Sequence, residues 1–130
     1  MRREDWPERL VAFIDARQAI PFAWSHNDCA TFAGDWVLEA TGVDPIPDFR
    51  KPYGEISANR ALRRLGGLGQ AVSARLQEKP ASFAMRGDIG LVEIEGRASL
   101  VIVDGDTIVG PGPNGVERLH RSLLVRAWEV

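Results

Sequence analysis

The chain has 130 residues, 45% of them hydrophobic and 26% charged, with a formal net charge of -2 and a pI near 5.7. That size and balance suit one folded domain over residues 1–130 and argue against a nucleic-acid partner, which brings a basic excess or a basic stripe. One cysteine excludes an internal disulfide, and two histidines are too few to suggest a zinc site.

The start, Met1-Arg2-Arg3-Glu4-Asp5, leads into an amphipathic stretch rather than an apolar run. No signal peptide and no membrane insertion are therefore expected, and synthesis in a cytoplasm is the expectation. A first helix is expected from about Trp6 to Arg17. Asp5 and Glu8 have the spacing of a capping box, and Leu10, Val11, Phe13 and Ile14 supply an apolar face. A second helix is expected to begin at Asn27 or Asp28 and to run to Ala40, burying Phe32, Ala33, Trp36, Val37 and Ala40, with Gly42 placed to end it.

A proline-rich loop follows through Asp44-Pro45, Pro47 and Pro52-Tyr53. Ser57 can cap a third helix carrying Ala61, Leu62 and Leu65, which stops at Gly66-Gly67; a fourth covers Leu68 to Leu76. Arg60, Arg63 and Arg64 read as a solvated helix face. The glycine-rich stretch Gly66-Gly67-Leu68-Gly69 lacks both the preceding strand and the lysine of a phosphate loop. After Pro80 the pattern turns to strands: Ile89 to Ile94, Ala98 to Val103, Thr107 to Val109, Val116 to Leu119 and Leu123 to Val130. Glu95-Gly96, Asp104-Gly105 and Pro111 to Gly115 supply the turns. Helices first and a meandering antiparallel sheet afterwards is an α+β order. Nothing along the chain calls for a cofactor or a metal.

Cys29 falls in the first turn of the second helix, where unpaired N–H groups and the positive end of the helix dipole favour a thiolate and can steady an oxyanion. The bland alternative is a small buried hydrophobe, with Asp28 acting only as a helix cap. Trp36 and Trp128 have the pattern of core residues, whereas Trp24 either lines a groove or packs beneath the turn. Asp35 lies six residues beyond Cys29, off its helical face. Asp88 is placed to fix the turn before its strand.

The run Pro21-Phe22-Ala23-Trp24-Ser25-His26-Asn27-Asp28-Cys29-Ala30-Thr31-Phe32 resembles the nucleophile segment of NlpC-type papain-like cell-wall peptidases. Arg86-Gly87-Asp88-Ile89-Gly90-Leu91-Val92 is similar to the segment that opens their sheet. The likeness spans about residues 21–130 and implies a papain-like α+β fold. A closer likeness is to short proteins encoded among the tail genes of phages and gene-transfer particles, which share these segments and an Ala-Trp near the C-terminus, here Ala127-Trp128.

The resemblance implies Cys29 as nucleophile, with Phe22, Trp24 and Asp28 shaping the site. It also places Ser99 where the family has its histidine, and finds no suitable side chain near Val109-Gly110 for the third polar residue. His26, on the turn entering the helix, is then the one nearby candidate base, and His120 a remote one. Two functions follow as expectations. One is thiol-dependent hydrolysis of amides in peptidoglycan stem peptides by a tail-associated protein. The other is a catalytically silent scaffold or adaptor contacting other tail or baseplate proteins, with a partner chain able to supply the missing histidine. A cytoplasmic thiol protein of unrelated activity is a third reading.

Overall fold

The computed structural model describes residues 1–130. Four α-helices come first: α1 (Trp6–Arg17), α2 (Cys29–Thr41), α3 (Glu55–Arg64) and α4 (Leu68–Ser73). Six strands follow: β1 (Glu78–Lys79), β2 (Ile89–Ile94), β3 (Arg97–Asp104), β4 (Thr107–Gly112), β5 (Gly115–His120) and β6 (Arg126–Trp128). They form one antiparallel sheet in the order β1-β6-β2-β3-β4-β5. The architecture is the α+β order expected from the chain.

The sheet is buried on both faces, and the period of two in its strands divides them. Ile89 and Leu91 of β2 pack with Leu100 and Ile102 of β3, Val109 and Trp128 against Phe32, Trp36 and Val37 of α2 and Leu10 and Ile14 of α1. Val92, Val101, Val103, Ile108 and Ala127 point the other way, under Ala84 and the half-buried Leu119 and Leu124. The register sets Ile89 opposite Ile102 and Leu91 opposite Leu100, so the helix-facing side of the β2–β3 pair is apolar across both strands at these positions.

Helix α2 is apolar enough to sit at the centre because its polar needs are met at its ends. Asp28 is its N-cap: the Asp28 carboxylate accepts the Thr31 N–H at 2.8 Å, and the Thr31 hydroxyl accepts the Asp28 N–H at 2.9 Å. Gly42 closes the other end in the left-handed conformation, φ 81°. Midway, the Trp36 indole donates to the Gly87 carbonyl at 2.7 Å, tying the helix to the turn before β2. Trp128 is likewise fully buried, and its indole donates to the Ser73 hydroxyl at 2.9 Å.

Several local expectations change. The helix begins at Cys29, one residue after its cap, rather than at Asn27 or Asp28. The Asp5 carboxylate makes no cap bond and instead accepts from the Arg9 guanidinium at 2.7 Å, so the expected box with Glu8 is absent. Val11 is 51% exposed, because the core takes only the Leu10 and Ile14 edge of α1. Ser57 caps α3 from inside, its hydroxyl accepting the Gly54 N–H at 3.0 Å. Helix α4 stops at Ser73, and the final strand is only Arg126–Trp128, since Arg121–Leu123 turn as a short 3-10 helix. No helix is long and apolar enough to cross a membrane.

Candidate active site

Helix α2 starts at the edge of a cleft of about 1160 Å³ whose walls come from the turn at Phe22 and Trp24, the loop at Tyr53, helix α3 and the ends of β3 and β4. Cys29, Asp28, Ser99, Phe22 and Trp24 all line it. The Cys29 side chain is half-buried and packs against the main core. The Ser99 hydroxyl and the Leu100 backbone N–H of β3 lie near enough to its sulfur to lower the thiol. The structure thus brings Cys29 and Ser99 together. His26 is exposed on the turn before α2, and His120 is exposed at the end of β5, where its ring Nδ1 accepts the Ser122 N–H at 3.1 Å. Neither histidine lines the cleft.

The electrostatics follow from that lining. Burial pushes the Cys29 thiol well above its ordinary value; the Leu100 N–H and the Ser99 hydroxyl pull it down by less, and the Asp28 carboxylate adds to the rise. A helix N-terminus favours a thiolate by about 0.3–1 kcal/mol for an exposed charge and by up to about 2 kcal/mol in a partly buried setting. Burial acts the other way and is the largest cause of the raised thiol, which favours the neutral form at pH 7.

Asp28 is 2% exposed and its acceptor sites are filled. One oxygen takes the Thr31 N–H and hydroxyl; the other takes the Ser25 N–H at 2.9 Å and the Tyr53 hydroxyl. The Ser25 bond holds that residue in the left-handed region, φ 64°, which shapes the sharp turn ahead of the cysteine. Burial and the hydrogen bond to Asp28 push the Tyr53 phenol far up, so it stays protonated and donates. Phe22 and Trp24 meet edge to face with centroids 5.0 Å apart. Asp35 turns away to pair with Arg17 and Arg50. Periodicity gave no hint of Tyr53 or of the Leu100 N–H; the one signal for Tyr53 was a lone tyrosine in a proline-rich loop.

No group of three or more histidine, cysteine or acidic side chains is arranged to hold a metal ion. What the arrangement offers is a peptide-sized, mainly apolar cleft, a thiol at a helix start with N–H groups nearby, and a serine in contact with that thiol.

A family model described as a domain of unknown function, DUF6950, matches residues 1–130. The chain belongs to the DUF6950 family. No curated protein sequence matches it. Among solved structures, this DUF6950 chain is similar to the NlpC/p60 domain of the peptidoglycan hydrolase SagA, with a TM-score of 0.62. The match has 19% sequence identity and covers 95% of this chain and 97% of that one. The shared property at that identity is the fold: the DUF6950 chain is a papain-like α+β domain of the NlpC/p60 kind.

Proposed function

We propose that this DUF6950 chain is a peptide-binding member of the NlpC/p60 fold that does not hydrolyse amides on its own. The observation that carries this reading is the pairing of a neutral Cys29 thiol with Ser99, in a cleft lined by no histidine. A serine hydroxyl neither takes the thiol proton at neutral pH nor returns it to a leaving amine. Forgoing general acid–base help costs roughly 10²–10⁴-fold in rate. The cleft itself is intact, and more than half of its lining residues are hydrophobic, as a binding groove requires.

The peptide class is inferred from the relative: peptidoglycan stem peptides, or an extended segment of a partner protein presented in the same way. The tail of a phage or gene-transfer particle is the proposed setting. It rests on the sequence likeness at Pro21–Trp24, Asp28-Cys29, Arg86–Asp88 and Ala127-Trp128, and other tail or baseplate proteins are the proposed neighbours. A partner chain that inserts a histidine beside Ser99 would convert the silent site into a working one.

The second reading, an active hydrolase, is favoured by one observation, the position of Cys29 as first residue of α2 on the lining of the cleft. The deciding experiment incubates the purified chain with peptidoglycan sacculi and with soluble stem peptides, and follows release of new amines beside the Cys29→Ala variant. The proposal expects binding to the peptides, and amine release indistinguishable from the Cys29→Ala blank. Turnover that disappears with Cys29→Ala overturns it.

A further inference from the structure

Helix α3 differs from the other helices in what it buries. Helices α1, α2 and α4 each place residues in the core, whereas none of the 10 residues of α3 is buried. Its apolar side, Ala58, Ala61 and Leu62, is half-buried and lines the cleft, and α3 makes no extensive contact with another helix or strand. Ile56, in its first turn, is 76% exposed. Isolated helices shorter than about 12–15 residues are marginal in water, and packing is what normally holds them.

The attachments of α3 are few. The Glu55 carboxylate accepts from the Arg97 guanidinium at 3.3 Å, and both side chains are mostly exposed. Every other hydrogen bond made by α3 itself closes within residues 54–67. The chain on either side, by contrast, is pinned. Tyr53 donates its hydroxyl to Asp28 at the start of α2. Helix α4 buries Gly69, Ala71 and Val72, and its Ser73 hydroxyl accepts the Trp128 indole N–H. Between these anchors and α3 lie Gly54 on one side and Gly66-Gly67 on the other. A Cβ at Gly54 or Gly67 would meet nothing within 4 Å, and Gly66 and Gly67 hold φ of 84° and 105°, a region open to glycine. A few such positions at the ends of an element are what absorb the backbone change of a hinge.

We propose that α3 is a hinged lid over the cleft, swinging about Gly54 and Gly66-Gly67, latched by the Glu55–Arg97 ion pair and gating access to Cys29. The lid goes beyond the peptide-binding reading and does not depend on what occupies the cleft. Closed, α3 sets Ala58, Ala61 and Leu62 over the same space that Cys29 lines. Open, it exposes only side chains that are not buried to begin with, so the movement sacrifices little packing.

Two measurements on the full chain test it. In hydrogen exchange read by mass spectrometry, the amides of α3 are expected to exchange on the order of a hundredfold or more faster than those of α2, because segments with little buried surface open far below global unfolding. The second compares the rates at which Cys29 reacts with the bulky, neutral N-(1-pyrenyl)iodoacetamide and with iodoacetamide. The ratio of the two rates cancels the thiolate fraction and reads access alone. Arg97→Glu sets like charges at the latch and is expected to raise both α3 exchange and that ratio about two- to fivefold, the worth of an exposed ion pair. Glu55→Arg combined with Arg97→Glu restores the pair in reverse and returns both to their wild-type values. Amides of α3 protected as strongly as those of α2 overturn the lid and make α3 a fixed wall. A ratio unmoved in Arg97→Glu while α3 exchange rises overturns the gating of Cys29. Exchange and ratio both unmoved overturn the latch. None of these results bears on the peptide-binding reading, which the assay with sacculi and stem peptides tests separately.

Discussion

The chain buries two aspartates almost completely, Asp28 at 2% and Asp88 at 0% exposure, and each opens an element that carries the fold. Asp88 precedes β2 and meets two cations, Arg2 and Lys79, both at 2.8 Å, together with the Met85 and Val130 N–H groups. Asp28 precedes α2 and meets only neutral donors from Ser25, Thr31 and Tyr53. The first is a clamp: through it Arg2 at the start of the chain and Val130 at its end are drawn to the same turn, and Arg2 donates also to the Val130 carbonyl at 2.8 Å. The second has no cationic partner and sits next to the cysteine. One carboxylate therefore holds the molecule together, and the other works against forming a thiolate at Cys29.

Breaking the clamp has the largest expected effect. Asp88→Ala leaves two largely buried cations without their partner and orphans two N–H groups, and a loss of about 3–5 kcal/mol is expected from urea unfolding. Asp28→Asn is expected to cost less than Asp88→Ala, since the amide oxygen still accepts the Thr31 N–H, while its NH2 leaves the Ser25 N–H without an acceptor. Its distinguishing effect is on chemistry: removing the charge lowers the Cys29 thiol, so the midpoint of its alkylation moves to lower pH while the fold persists. A change in stability as large as that of Asp88→Ala would mean that the two aspartates do the same work.

Tyr53→Phe sharpens the contrast from the other side of the Asp28 carboxylate. It removes one donor and is expected to cost about 0.5–1.5 kcal/mol in the same unfolding measurement. The smallest effect is the pH dependence contributed by Cys29 itself. Its folded value lies above the unfolded one because of burial, so its contribution is fully present below the free-thiol value of about 8.5 and is lost as pH rises toward the folded value. The urea midpoint of the wild type should therefore fall relative to Cys29→Ser between pH 8 and pH 10, within about that window. A constant difference would mean that the thiol is not desolvated.

The contrast also marks what sequence reading reaches. Capping chemistry and apolar periodicity are local, so α2, its Gly42 stop, the buried Trp36 and the succession β2 to β5 were legible in the chain, whereas β1 and the return of β6 to the edge of β2 were not. Asp88 was legible only as a turn former; its partners Arg2 and Lys79 lie 86 and 9 residues away, and nothing local announces such a meeting. The reach of Tyr53 to Asp28 across 25 residues was hidden for the same reason. Trp24 and Phe22 could be placed near the cysteine by the motif, and both line the cleft with it. His26 was singled out by nearness in the chain; it is exposed on the turn before α2 and does not line the cleft.

The central claim is that Cys29 is a neutral thiol because it is buried beside a carboxylate, and unassisted because Ser99 rather than a base stands near it. The most direct measurement is the pH dependence of its alkylation by iodoacetamide in the wild type and in Ser99→His. The account predicts a wild-type midpoint above the free-thiol value of about 8.5, and a lower midpoint once an imidazole stands beside the sulfur. A wild-type midpoint well below that value would show an activated thiolate already in place and would contradict the account.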